Sequence, residues 1–276
     1  MANAPAAADD FVAPPGLKTH LDLKYGDLPR HTLDVYLPKG RKKLHKALVW
    51  VHGGAWRLRD KKAIRTPWVL DHGYALVSIN YRLTGAGPMP IQIQDVNRAL
   101  SWLSKHGKDY GVDSRRMVIG GASAGGHLVA MAALARKVPE FGSDPKVKIA
   151  GVVDMYGPAD LLAMCMQTSE GNDHDAPDAP EADLIGGAVR AHPDKAIWAS
   201  PTTYVTKNAP PFIFLHGSAD PIVPFAQSVL LEGHLRVKGV NTEFHKIEGA
   251  GHGGPHFLTQ PVKDAVNGFL DRIYGK

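Results

Sequence analysis

The sequence predicts an α/β protein: one mostly parallel sheet of about eight strands with helices on both faces. Three observations carry this. Short apolar runs alternate with helical patterns along most of the chain, glycine-rich polar stretches recur just after those runs, and no internal repeat divides the 276 residues. With 44% apolar residues the chain can bury one sizeable core, so a single domain is expected over 18–276.

Residues 1–17 are rich in Ala and Pro and are expected to form a disordered tail. Residues 19–25 and 31–37 alternate apolar with polar side chains and read as an antiparallel ribbon. Six further strands follow at 47–51, 74–80, 117–120, 149–155, 211–215 and 242–247. Helical patterns occupy 61–71, 91–106, 124–136, 193–199 and 225–238, and a last helix covers 262–274. One stretch breaks the alternation. From 160 to 191 the chain is rich in Asp, Pro, Ala and Gly where a return helix belongs, with acids at Glu170, Asp173, Asp175, Asp178, Glu181 and Asp183. A long connection in a compact domain is functional or mobile. Mutual repulsion and few apolar anchors predict a mobile excursion at about 165–191, bordering the carboxyl ends of the strands.

Composition removes several classes of function. The net charge of +5 is not gathered on one helix face, and the densest basic cluster (Lys39, Arg41, Lys42, Lys43, Lys46) reads as a solvated turn between strands. No nucleic-acid partner is therefore expected. Cys165 is the one cysteine, which excludes an internal disulfide and a cysteine-based zinc site; it reads as buried filler, as do Met164 and Met166. Asp173-His174-Asp175 lacks the spacing and closing glycine of a calcium loop. His256 follows His252 by four residues, but Gly253, Gly254 and Pro255 prevent the helix a two-histidine metal site needs. No apolar run is long enough to span a membrane, and the first residues lack the basic start and apolar core of a signal peptide. Composition says nothing about oligomeric state.

The chemistry lies at the carboxyl ends of the strands, where open α/β sheets bind ligands. Gly121-Ala122-Ser123-Ala124-Gly125 falls between a strand and a run of helix formers. A serine on that sharp turn needs small neighbours on both sides, and the following helix aims its first N–H groups at the same spot. Gly-x-Ser-x-Gly alone arises by chance, so its partners decide the matter. After 47–51 comes His52-Gly53-Gly54-Ala55-Trp56, whose glycines can present consecutive N–H groups to an oxyanion. After 211–215 comes His216-Gly217-Ser218-Ala219-Asp220, and after 242–247 comes Glu248-Gly249-Ala250-Gly251-His252-Gly253-Gly254. A neutral serine is a poor nucleophile; it needs an imidazole to take its proton and a carboxylate to hold that imidazole's tautomer. Serine, acid and histidine occur here at the ends of three strands. Asp154 and Asp160, after the sixth strand, are competing acids, with Asp154 reading as a local cap. His127 and His216 read as structural.

These residues, together with Asn80-Tyr81-Arg82-Leu83, resemble the α/β-hydrolase superfamily. Within it they are most similar to the esterase branch related to hormone-sensitive lipase and bacterial feruloyl and acetyl-xylan esterases. The resemblance runs from Leu33-Asp34-Val35-Tyr36-Leu37-Pro38 to the final helix. It implies an α/β-hydrolase fold without a large cap domain, and a serine carboxylesterase with no metal or organic cofactor. Carried over, Ser123 is the nucleophile, His252 the general base and then acid, and Asp220 the orienting carboxylate. The N–H groups of Gly53, Gly54 and Ala124 form the oxyanion hole, and Trp56 and Tyr81 are expected at the acyl pocket. Ala55 departs from the pattern, standing where many relatives carry a third glycine. The resemblance implies short-chain or aromatic acyl esters as substrates, small or polysaccharide-linked. Arylformamidase action on N-formylkynurenine is the alternative. Non-catalytic receptors of this fold have lost the histidine that this chain keeps at His252.

Overall fold

A computed structural model describes residues 10–40, 43–167 and 171–276. Its strands are β1 (Lys18–Lys24), β2 (Thr32–Leu37), β3 (Ala47–Val51), β4 (Ala75–Ile79), β5 (Met117–Ala122), β6 (Ile149–Met155), β7 (Phe212–Gly217) and β8 (Thr242–Ile247). They form one sheet in the order β1-β2-β4-β3-β5-β6-β7-β8, in which β3 to β8 pair in parallel and β2 is antiparallel to both neighbours. β3, β4, β5 and β7 are buried at every residue, which is why they read as continuous apolar runs.

Helices cover both faces. On one lie α1 (Ile91–His106), α2 (Ala124–Leu134) and, further along the chain, α3 (Leu161–Met164), α4 (Pro180–Ile185), α5 (Pro193–Trp198) and α6 (Ala226–Val237). On the other lies α7 (Gln260–Tyr274). α1 buries Ile93, Val96, Leu100 and Leu103, the i, i+3, i+7 stripe of a helix half in water. α2 is buried on every side, because α1 covers the face it turns from the sheet. α7 buries Val262, Val266, Phe269, Leu270 and Tyr274 and ends at Gly275 with φ 71°, a left-handed cap that suits glycine. No helix among the described residues is long and apolar enough to cross a membrane.

Three expectations change. The helix over 61–71 is only a single 3₁₀ turn, Pro67–Val69. Pro67 has no N–H to donate, and Lys61 is taken up by a loop, its N–H bonded to Asn80 Oδ1 and its ammonium to buried Asp34. The tail expected to 17 is anchored from Phe11, whose N–H donates to Lys62 O and whose ring meets Tyr36 edge-on at 5.1 Å; residues 1–9 lie outside the described residues, as do Arg41 and Lys42. The acidic excursion is not a bare loop. It follows directly on α3, contains α4 and buries Ala179, Ala182, Leu184 and Ile185; Glu170 lies outside the described residues.

Candidate active site

Adjacent strands bring the glycine loop and the serine turn together. β3 and β5 pair with Val51 opposite Gly121, while the chain leaves β3 for β4 on one side and later reaches β5 on the other. Loops diverge at such a switch point and open a crevice. Ser123 has φ 55° and ψ −124°, a conformation that costs an L-residue about 1–3 kcal/mol. The surrounding glycines make that turn possible. A Cβ on Gly125 would overlap the Val51 carbonyl, and one on Gly121 would overlap the Gly125 carbonyl. The Ser123 N–H donates to Met155 O at 2.8 Å, tying the turn to the end of β6.

The loop after β3 lies against the serine: a Cβ on Gly53 would sit 3.3 Å from Ser123 Cβ. Among the described residues, the N–H groups of Gly53, Gly54 and Ala124 donate to no backbone carbonyl outside the regular elements. The loop is braced from behind. His52 Nδ1 lies 2.7 Å from Gly53 O, and its Nε2 lies 3.3 Å from Arg30 Nη2. A guanidinium only donates, so Nε2 accepts and Nδ1 carries the proton given to Gly53 O. Burial pushes this imidazole down to about 4, which keeps it neutral. Because Gly53 C=O and Gly54 N–H share one planar peptide, fixing the first aims the second.

Trp56 and Tyr81, expected at an acyl pocket, are placed in the core instead, 2% and 0% exposed. Trp56 Nε1 donates to His127 Nδ1 at 3.3 Å, and His127 Nε2 lies 2.7 Å from Ala199 O. Tyr81 stacks on His52 at 4.4 Å and donates its Oη hydrogen to His52 O at 3.1 Å. Polar tips consumed by the loop's own scaffold leave these rings supporting it from within.

Asp220 and His252 meet across the loops that follow β7 and β8. His252 Nδ1 donates to Asp220 Oδ2 at 2.7 Å, while Asp220 Oδ1 accepts the N–H groups of Ile222 and Val223 at 2.9 and 3.0 Å. Burial would raise this carboxyl, but hydrogen bonds from His216, His252 and the Ile222 N–H outweigh it and hold it well below the usual carboxylate range. Gly217 permits the two loops to approach, since a Cβ there would overlap Ala250 O. The rival acids are occupied elsewhere. Asp160 accepts from Ala163 N at 2.9 Å and caps α3. Asp154 accepts from Gly157 N at 2.9 Å, beneath α2, and its Oδ2 has no partner among the described residues.

Burial pushes the Asp154 carboxyl up to about 6, so it is neutral in acid and ionises at a cost near neutral pH. A folded value above the unfolded one means a contribution fully present below the unfolded value and lost as pH rises through about 6. Asp154→Asn is therefore expected to gain on the wild type by about 2–3 kcal/mol between pH 4 and pH 8. Urea unfolding at both pH values checks this; a difference independent of pH would rule it out.

The excursion is pinned to both halves of the site. Arg57, just past the glycine loop, donates from Nε to Asp183 Oδ2 at 2.6 Å and from Nη2 to the carbonyls of Asp178 and Ala179 at 2.8 and 2.9 Å. Asn172 Nδ2 donates to Pro221 O at 2.6 Å, beside Asp220. Arg57→Ala is expected to raise hydrogen exchange across α4 and to change discrimination among bulky esters, while small acetate esters stay within about tenfold. Unchanged exchange would show that the guanidinium is not what holds the segment.

Two further side chains complete the setting. Tyr156, directly after β6 at φ 45°, places its ring 4.6 Å from His252 and 4.8 Å from Phe257. Its signal was an aromatic residue between an apolar strand and Gly157-Pro158. Arg30 carried no local signal, because its partners His52, Arg59 and Tyr81 are distant in sequence. Cys165, expected as buried filler, is half-buried, its thiol donating to Leu161 O and pushed up to about 11 by burial.

Comparison with known proteins gives the family. The BD-FAE family model matches residues 33–235, a span that includes His52-Gly53-Gly54, Gly121-Ala122-Ser123-Ala124-Gly125 and Asp220 and ends before the loop of His252. Esterase LipC of Mycobacterium tuberculosis is 32% identical, over 91% of this chain and 64% of LipC. Esterase LipQ of the same organism is 33% identical, over 92% of this chain and 62% of LipQ. The chain thus spans just under two thirds of the length of these relatives. A carbohydrate esterase from gut microbiota superposes with a TM-score of 0.86 at 29% identity, covering 98% of this chain and 99% of its own. By sequence match, sheet topology and serine turn together, the chain belongs to the BD-FAE family of α/β-hydrolase esterases.

Proposed function

We propose that this chain is a serine carboxylesterase that cleaves short-chain or aromatic acyl esters through an acyl-enzyme. The Asp220–His252 hydrogen bond of 2.7 Å, at the strand ends that carry the Ser123 turn, is the observation that carries the reading. Ser123 Oγ attacks the ester carbonyl as His252 Nε2 takes its proton. The developing oxyanion is met by the N–H groups of Gly53, Gly54 and Ala124, each such donor contributing about 3–4 kcal/mol to the transition state. Collapse expels the alcohol with the proton from His252, and water repeats the sequence on the acyl-enzyme. His252 must be neutral to act as base, and the Asp220 carboxylate stabilises the imidazolium formed on the way.

The likeness to a carbohydrate esterase, and to a Bacteroides eggerthii GH43-CE protein at 31% identity and a TM-score of 0.84, supports an ester carried on a saccharide. The Bacteroides match covers 92% of this chain and 35% of that one. The test is a fluorophosphonate probe followed by peptide mass spectrometry, with turnover of acetyl, butyryl, octanoyl and feruloyl esters and of acetylated xylan. Labelling at Ser123 with turnover of the short or feruloyl esters is expected. No labelling would overturn the mechanism, and faster turnover of N-formylkynurenine than of any ester would make the chain an arylformamidase.

A further inference from the structure

We propose that His216 is a positioning residue of the catalytic group, a second imidazole on the carboxylate that orients His252. The proposal rests on the serine-esterase reading and adds a residue to it. His216 leaves β7 fully buried, and its Nε2 lies 3.3 Å from Asp220 Oδ2, the same oxygen that accepts from His252 Nδ1. The same Nε2 lies 3.0 Å from Val223 O, while Nδ1 lies 2.7 Å from Ser228 Oγ on α6. Both neighbours of Nε2 are acceptors, so that nitrogen carries a proton whether or not the ring is charged. His216 therefore donates to Val223 O in the Asp220 loop and keeps the same N–H 3.3 Å from Oδ2, beside the oxygen that accepts from His252. Phe225, edge-on at 5.5 Å, and Tyr156, at 6.3 Å, fix the ring plane.

The consequence is chemical as well as mechanical. An N–H 3.3 Å from Oδ2 disperses the Asp220 charge that stabilises the His252 imidazolium. Removing that donor makes the carboxylate a stronger partner for His252⁺ and raises the pH at which His252 loses its proton. Removing a positive His216 would act in the same direction. The other titratable groups around the pair are Tyr156, whose ring packs on His252, and Asp154, buried on β6; Arg59 and Arg65 act on Tyr156 from outside. None of them hydrogen-bonds Oδ2.

Side-chain geometry supplies the test. Gln places an amide nitrogen where Nε2 was, whereas Asn reaches only the Nδ1 position. His216→Asn is expected to lower kcat about tenfold to a hundredfold with KM within about twofold, and to move the acid limb of kcat/KM upward by about half a pH unit. His216→Gln is expected to restore both to near wild type. Ser228→Ala, which breaks only the Nδ1 bond, should lower Tm without moving the limb. Titration of the His252 imidazole by ¹⁵N NMR in the resting protein reads the same shift without turnover, so it remains decisive if no ester is hydrolysed. Absence of ester turnover in the wild type would defeat the esterase reading alone. An unshifted His252 titration in the folded Asn variant, or a Gln variant no better than Asn, would reduce His216 to packing and overturn the proposal. Should the Asn variant fail to fold, the Gln and Ser228→Ala pair decides: a limb that moves with Ser228→Ala but not with Gln contradicts it.

Discussion

Ser123→Ala is expected to lower kcat by about four to six orders of magnitude and to leave the fold intact. The Ser123 oxygen makes no packing contribution that a methyl group lacks, and the unusual backbone at φ 55° is imposed by Gly121, Gly125 and the Ser123 N–H bond to Met155 O. These survive the substitution. Steady-state hydrolysis of p-nitrophenyl acetate with thermal unfolding as control measures the effect. A variant keeping more than about a tenth of the wild-type rate would remove Ser123 from the mechanism. On the proposed mechanism, the residual rate is expected to report what the N–H groups of Gly53, Gly54 and Ala124 achieve by binding alone.

Asp220→Asn is expected to cost about four orders of magnitude in kcat, comparable to losing the carboxylate outright. The amide has no freedom to choose its orientation. Two backbone donors, Ile222 N–H and Val223 N–H, converge on Oδ1 and keep an oxygen there. The amide nitrogen must then occupy the Oδ2 position, facing His252 Nδ1, which donates to that oxygen in the wild type, with the His216 Nε2–H 3.3 Å away. A donor facing His252 Nδ1 forces its proton onto Nε2, where it blocks acceptance of the Ser123 proton. The kcat measured from pH 5 to 10, with Asp154→Asn and Asp160→Asn as comparisons, checks this. A larger loss in either comparison would move the acid to the end of β6.

Much of this architecture was legible in sequence because it is local. Strands buried on both faces read as apolar runs, α1 and α7 show their stripes, and Gly-x-Ser-x-Gly marks a turn whose steric demands involve adjacent residues. That Ser123, Asp220 and His252 lie at one edge was legible because a parallel sheet puts every strand's carboxyl end there. Departures arose where distant residues decide. Pro67 and the Lys61–Asp34 pair replaced an expected helix with a tethered loop, and Arg57 with Asn172 turned a chain of repelling acids into a packed, bridged segment.

Periodicity and turn chemistry act over a few residues, so the α/β class, the strand and helix pattern and the candidates Ser123, Asp220 and His252 can be read from the amino-acid order. Which carboxylate meets His252, how Trp56 and Tyr81 brace the glycine loop from the core, and how Tyr156, Arg30 and His216 pack beside the candidate site emerge only in the folded molecule. Those are contacts between side chains far apart along the chain, and their geometry exists only once the sheet has set the register of its strands.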